Sequence, residues 1–532
     1  MALFEILWMV AWVVIMLTLC AFGAQRLVIL WFYWRNRHRV PVLPDRFDEL
    51  PPVAIQLPVF NEKHVAARLI RAVGKIDYPR DRLYIQVLDD STDATVDICR
   101  AEVARLVDQG LNVDHLHRET RSGYKAGALE KGMSLVSADF LFILDADFVP
   151  DRRILQELVH HFTDPQVGMV QARWGHLNRR ASLLTELQAI FLDGHFVVEQ
   201  TARNRAGYYF NFNGTAGMWR RRAIEEAGGW QHDTITEDLD LSYRAQLAGW
   251  RFVFLKDVVV SAELPYEIGG FKSQQHRWTK GSIETCLKLL PRIWREAPDL
   301  GTRVMATAHL AANFCYLPLL ALLVGGYPMA LRKDPGIFRL MLLDAPFFLF
   351  ATGSVLVFYL VSQLVQQERS VFQTMLLLPV LLALGAGMAI NNSRGVIMAL
   401  LGKKSPFVRT PKSGGQTAND KHAGSGIFQS PVMTGAYGVV KSGWVFVEAF
   451  LSLYFTVLAI NAISQGHWGL AALMFLFASG FAMVSWAGRL LSLRWQGRAG
   501  FKRSKKSESA KGRDSMETNG EGGTQSKLGA IP

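Results

Sequence analysis

Three acidic pairs stand in order along the first half of the chain: Asp89-Asp90, Asp145-Ala-Asp147 and Glu237-Asp238. The first two close the apolar runs LYIQVLDD and DFLFILDAD, so their carboxylates fall where a buried strand ends. An Asp-x-Asp on such a turn can aim one carboxylate at a divalent metal and leave its neighbour to face a sugar or ribose hydroxyl. Hard cations such as Mg2+ and Mn2+ take oxygen ligands and bridge protein carboxylates to substrate phosphates. About forty residues after the Glu-Asp pair come Gln274, Arg277 and Trp278. A guanidinium braces a diphosphate through paired hydrogen bonds, and an indole offers a flat apolar face to a pyranose ring. Trp and Arg also suit a membrane-boundary helix, and a lone Asp-x-Asp is mostly a solvated turn, so the weight lies on the combination.

The elements that must position these groups are legible in outline. From about 47 to 290, short β-rich runs alternate with amphipathic stretches: VAIQLPVF, a helix from Glu62 to Gly74, LYIQVLDD, a helix from Asp93 to Gly110, another helical stretch, then DFLFILDAD. Strands alternating with helices predict βαβ units and a mostly parallel sheet. Open α/β sheets bind ligands at the carboxyl ends of their strands, which is where the acids stand.

Around this region the texture is that of membrane segments. Half of the 532 residues are hydrophobic while 20% are charged, a mixture that fits a soluble unit joined to apolar helices. An apolar stretch from about 3 to 34 is followed by Arg35, Arg37, His38 and Arg39, which places this end in the cytoplasm by the positive-inside tendency. Further spans are expected near 303–331, 342–365, 443–464 and 468–490. The segment 372–401 carries Pro379, Asn391, Asn392 and Arg394, and a central Arg costs about 2.5–3.5 kcal/mol on insertion, so an interfacial or re-entrant element is expected there. Parity agrees, because it keeps the Lys403/Lys404/Arg409/Lys412 loop and the basic tail inside. The net charge of +12 sits largely at such flanks and in the tail, as for contact with anionic lipid, and no nucleic-acid module accompanies it. Cys20, Cys99, Cys286 and Cys315 show neither close pairing nor metal-ligand spacing.

Together, Asp90, Asp145-Ala-Asp147, Thr236-Glu237-Asp238 and Gln274-Gln-His-Arg277-Trp278 resemble the membrane-integrated processive glycosyltransferases of family 2, which include cellulose synthase. The stretches IQVLDDSTD, GYKAGAL, VQARW, FNGTAG, EAGGW and QQHRW resemble the cellulose-synthase-like mannan and glucan synthases in particular. The resemblance covers roughly residues 50–295. It implies an α/β GT-A (nucleotide-diphospho-sugar transferase, Rossmann-like) catalytic domain inserted between transmembrane helices. The divisions expected are 1–46 (helix and basic flank), 47–300 (cytoplasmic catalytic domain), 301–496 (channel region, with a gating-like loop at 402–431) and 497–532 (disordered tail).

The resemblance also implies roles. Asn61, Glu62, Asp89 and Asp90 would line the nucleoside pocket, with Lys125 near the base or diphosphate. Asp147 would hold Mn2+ or Mg2+, and Asp145 the donor with a share in the metal. Asp238, beside Glu237, would be the general base. Gln274, Arg277 and Trp278 would close over the diphosphate and the acceptor end. Phe212-Asn213-Gly214-Thr215 aligns with an acceptor-lining segment, although cellulose synthases carry a cysteine where this chain has Asn213. Phe407-Val-Arg409-Thr410-Pro-Lys412 resembles their gating loop, with Arg409 replacing a valine and with Thr410 and Lys412 near the phosphates.

The reaction implied is a single inverting displacement that extends a β-linked glycan from a nucleotide sugar, with the metal and Arg277 neutralising the leaving diphosphate. UDP-glucose is expected first and GDP-mannose close behind. The partners implied are the growing polysaccharide, membrane lipids and a possible accessory export subunit. The composition points to a multi-pass protein of a bacterial inner membrane. Transfer of one sugar to a lipid is the nearest rival, and a non-catalytic nucleotide-sugar sensor is the reading from another class.

Overall fold

Seven strands form one mixed sheet: β1 (Val53–Val59), β2 (Leu83–Asp89), β3 (Asn112–His117), β4 (Phe140–Ile143), β5 (Val167–His176), β6 (Gly217–Arg220) and β7 (Arg251–Ala262). Their order is β3-β2-β1-β4-β6-β5-β7. β1 runs parallel to both β2 and β4, and β2 parallel to β3. β6 lies antiparallel between β4 and β5, and β5 pairs parallel with β7. The computed structural model describes residues 2–43, 45–325, 345–367, 369–403, 412 and 443–485; Thr410, Arg409 and most of the expected 402–431 loop lie outside them.

Both sheet faces are covered, so the inner strands read as continuous apolar runs. Val53, Ile55, Leu57 and Val59 of β1 join one buried cluster, while Ala54 joins the cluster on the other face with Leu141 and Ile143 of β4, the two-residue alternation of a strand. Gln56 and Gln86 are paired in register and buried. Gln56 Nε2 donates to Gln86 Oε1 at 3.1 Å, and Gln86 Nε2 donates to the Gly132 carbonyl at 3.0 Å. Those bonds tie the helix Tyr124–Ser134, which carries Lys125, to the sheet. The first crossover helix is shorter than expected, Ala66–Val73, because the chain first turns through Glu62, whose carbonyl accepts from Val65 N and Ala66 N at 2.9 Å. The next, Thr95–Asp108, lies within the expected bounds.

Among the described residues, Met9–Asn36, Pro346–Gln366 and Trp444–Ser464 are long and apolar enough to cross a membrane. Two bent pairs, each a broken span or a re-entrant loop, bring that number to five when each is counted as one span: Leu300–Leu310 with Ala312–Gly325, bent by 51°, and Val371–Gly387 with Ala389–Leu400, bent by 43°. Trp468–Val484 is apolar but shorter. The polar residues of the 372–401 segment have definite partners. Asn391 Nδ2 donates to the Lys272 carbonyl at 3.0 Å, and the Asn391 carbonyl lies 3.1 Å from His276 Nδ1. Both partners belong to the helix Ile268–Glu296, which also carries Arg277 and Trp278.

Candidate functional site

A cavity of about 250 Å³ opens at the carboxyl ends of the central strands. It collects Glu62, Asp90, Lys125, Asp145, Asp147, Asn213, Gly214, Glu237, Asp238, Gln274, Arg277, Trp278 and Lys412. These residues come from widely separated positions, so the fold itself assembles the group. Four other expected residues do not line the cavity. Asp89 is buried beneath it, with Oδ2 2.9 Å from His115 Nε2 and Oδ1 accepting from Ser91 N at 2.8 Å. Burial works to raise its pKa, but those bonds hold it below the ordinary carboxylate value. Phe212 packs in the core edge-on to Trp219. Thr215 lies behind the wall, where its hydroxyl accepts from Asp145 N at 2.8 Å and so fixes the Asp-x-Asp turn. Asn61 caps the neighbouring turn, its Oδ1 accepting from Thr92 N at 2.8 Å.

The two Asp-x-Asp carboxylates each face an ammonium. Lys125 Nζ donates to Asp145 Oδ1 at 2.6 Å and to the Gly214 carbonyl at 2.8 Å. Lys412 Nζ donates to Asp147 Oδ2 and to the Glu263 carbonyl, both at 2.7 Å. Cationic groups thus already sit against both carboxylates, and the donors on offer are oxygens, which suits a hard divalent cation completed by substrate phosphate. Partial burial disfavours the charge of Lys125, yet Asp145, Glu237 and Asp238 together raise its pKa.

Glu237 and Asp238 open the helix Glu237–Leu247. Burial, and then the neighbouring Glu237 carboxylate, push Asp238 up to about 7. Burial likewise raises Glu237, against the pull of Lys125. Arg277, partly buried in the same cavity, is pushed down to about 10 by desolvation, with Glu237 and Asp145 resisting the fall. Backbone strain gathers here too. Asn61, Tyr124 and Ala216 have positive φ of 53°, 50° and 56°, a conformation that non-glycine residues hold only where the surroundings fix it. Gly214, at φ +81°, has no room for a side chain: a methyl there would meet Asp238 Oδ2 at 2.9 Å.

Several contributors were not singled out in the sequence. Arg118 grips Asp90 with both nitrogens, Nε to Oδ1 at 2.7 Å and Nη2 to Oδ2 at 2.6 Å. Arg121 stacks over the Phe60 ring at 3.4 Å. Arg68 donates to Glu263 Oε1 at 2.6 Å and to the Asp147 carbonyl at 3.2 Å. Trp174 and His176, at the end of β5, complete the wall. Arg118 follows directly on β3 (Asn112–His117), a strand not expected from the sequence, which places its guanidinium at the same sheet end as Asp90.

Residues 51–281 match the family model described as glycosyltransferase like family 2. The chain is 44% identical over 292 residues to glucomannan 4-beta-mannosyltransferase 1 of Oryza sativa subsp. japonica, covering 52% of this chain and 55% of that protein. It is 41% identical over 284 residues to glucomannan 4-beta-mannosyltransferase 2 of Arabidopsis thaliana, with 51% and 53% covered. The chain therefore spans about half the length of the curated relatives it matches. The solved structure of mannosyltransferase PcManGT from Pyrobaculum calidifontis, in complex with GDP-Man and Mn2+, is 20% identical. It superposes with a TM-score of 0.51, covering 74% of this chain and 99% of that one, a likeness of the GT-A-like fold.

Proposed function

We propose, from the premise that residues 51–281 are a cellulose-synthase-like family 2 glycosyltransferase domain, that the chain polymerises a β-linked glycan from a nucleotide sugar in a membrane. The observation that carries this reading is that Asp238, the Asp-x-Asp turn, Arg277 and Trp278 line one cavity, where burial and Glu237 push the Asp238 carboxyl up to about 7. A base poised near neutral pH is matched to taking a hydroxyl proton as that hydroxyl attacks. Asp238 removes the proton from the acceptor, whose oxygen bonds to the anomeric carbon on the face opposite the diphosphate, so an α-linked donor gives a β-linkage. Arg277 bears on the leaving diphosphate, and Trp278 offers its face to a sugar ring. Asp145 and Asp147 would hold a divalent cation, which supplies further neutralisation of the diphosphate when bound.

The relatives' names favour a mannosyl donor, GDP-mannose, over the UDP-glucose ranked first from motifs alone. The apolar helices flanking the domain support a multi-pass membrane protein. The test uses purified protein in detergent with Mn2+ or Mg2+ and radiolabelled GDP-mannose or UDP-glucose in separate reactions. Product is sized and digested with linkage-specific glycosidases. A β-mannosidase-sensitive polymer from GDP-mannose is expected; a single sugar on lipid, or no sugar transfer at all, would sink the reading.

A further inference from the structure

Behind Asn213 a hydrogen-bond relay runs from the cavity to the N-terminal apolar helix. Gln200 Nε2 lies 3.0 Å from the Asn211 carbonyl oxygen and 2.9 Å from Asn213 Oδ1. A backbone carbonyl only accepts, so the Gln200 atom facing it is the nitrogen, and the Asn213 atom facing that nitrogen is the oxygen. The other end of the Asn213 amide, Nδ2, stands 3.0 Å from His195 Nε2. An amide nitrogen only donates, so His195 Nε2 must carry the lone pair and the ring proton sits on Nδ1. Nδ1 lies 3.5 Å from Glu199 Oε2. Glu199 is held in turn by Arg203 at 3.1 Å and by Arg26, from the helix Ala2–Asn36, at 3.2 Å. His195, Glu199 and Gln200 all lie in a π-helical turn, Gly194–Gln200, a rare element that gathers at functional sites.

We propose that His195 is a positioning residue that, together with Gln200 on the oxygen end of the amide, holds the polarity of Asn213, so that the amide presents its remaining N–H to the attacking acceptor hydroxyl. The proposal rests on the transferase reading above. Asn213 lines the cavity beside Gly214, and Gly214 abuts Asp238 Oδ2, so the amide and the base address the same place. The hydroxyl oxygen accepts from the Asn213 N–H, which leaves its own proton for Asp238. As the new bond to the anomeric carbon forms, that proton passes to the Asp238 carboxylate, and the electron pair of the broken bond leaves with the diphosphate. A reversed amide would offer its oxygen instead, take the hydroxyl proton in a hydrogen bond of its own, and compete with the base.

Three variants test this. His195→Leu removes the acceptor for Asn213 Nδ2, His195→Gln replaces it with a carbonyl, and Asn213→Asp replaces the nitrogen with oxygen. Radiolabel transferred to polymer is compared with donor hydrolysed to free sugar, and nucleotide affinity is measured alongside. His195→Leu and Asn213→Asp are expected to lower the transfer-to-hydrolysis ratio about tenfold, the effect of one hydrogen bond, with nucleotide affinity unchanged. His195→Gln is expected to restore the ratio to within about threefold of the parent. A normal ratio in His195→Leu, or a His195→Gln as poor as it, would overturn the proposal. Nitrogen-15 spectra of histidine-labelled protein give a readout free of turnover, with the His195 signals identified by their loss in His195→Gln. They should show a protonated Nδ1 and a bare Nε2, and a protonated Nε2 would overturn the proposal even in a preparation that makes no product. A parent protein that consumes no nucleotide sugar would count against the transferase reading instead.

Discussion

Replacing Asp238 by Asn should separate catalysis from stability in a way that depends on pH. The carboxyl is shifted from an ordinary 3.8 to about 7 by burial and by Glu237. At about 1.4 kcal/mol per tenfold, the folded protein therefore holds that proton about 4 kcal/mol more tightly than the unfolded chain. A raised pKa favours the fold fully below pH 3.8, and the advantage is lost as pH climbs through 7. Above that point the native state carries an ionised group it disfavours. Asn cannot ionise and keeps the side-chain oxygen that accepts from Leu239 N at 2.9 Å. The variant should therefore be more stable than the parent at pH 8, by up to about 4 kcal/mol, and by about 2 kcal/mol at pH 5. Transfer should fall by about 10²–10⁴ with nucleotide binding retained. The assay is Tm against pH for both proteins in the same detergent, paired with nucleotide titration. A stability difference that does not change between pH 5 and 8, or an Asn variant that still polymerises, would refute the reasoning.

Gly214→Ala forces an alanine to φ +81° and presses its methyl on Asp238 Oδ2; displacing the base should lower transfer about a hundredfold while leaving nucleotide affinity intact, read by steady-state kinetics with a binding titration. Lys412→Met removes the ammonium seated on Asp147, so Mn2+ should bind the nucleotide-free protein about tenfold more tightly, the effect of one charge-assisted hydrogen bond; spin resonance of the free ion measures this without turnover. Arg118→Ala leaves Asp90 without its two-point partner and should destabilise the fold by about 3–5 kcal/mol, which a Tm loss larger than that of Arg100→Ala, an exposed pair, would register.

Much of the site could be read in sequence because its acids terminate buried strands. β2 and β4 are nearly unbroken apolar runs, and the residues just past them, Asp90 and Asp145, emerge on the cavity side of the sheet. Glu237 and Asp238 were legible from their motif, since no strand leads into them; they begin a helix. What escaped were the residues that meet only through long-range folding. Arg68 and Glu263 lie 195 residues apart yet share an ion pair beneath Asp147, and no local period announces such a pair. The antiparallel β6 was equally hidden, because a four-residue strand, Gly217–Arg220, has too few positions to display an alternation. Asp89 shows the converse: its neighbour Asp90 has the same residue type, and one step along a strand sends the second side chain to the opposite face. His115 receives Asp89 on the face away from the cavity, while Asp90 meets Arg118.

The helix Ile268–Glu296 ties the cavity to the apolar helices. Its Gly281 lies so close to Thr236 that a methyl would meet that side chain at 2.5 Å, and Glu284 Oε2 accepts from Ile235 N at 3.0 Å. The loop leading to Asp238 is therefore seated on the same helix that carries Arg277 and Trp278. That helix also sends Lys272 Nζ to both oxygens of Glu448, in the span Trp444–Ser464, at 2.6 Å. Gly395, on the bent pair, leaves only 3.2 Å between an added methyl and the His276 carbonyl. Close-packed contacts of this kind transmit displacement. A shift of the apolar helices at these contacts would therefore reach Arg277, Trp278 and the Asp238 loop together.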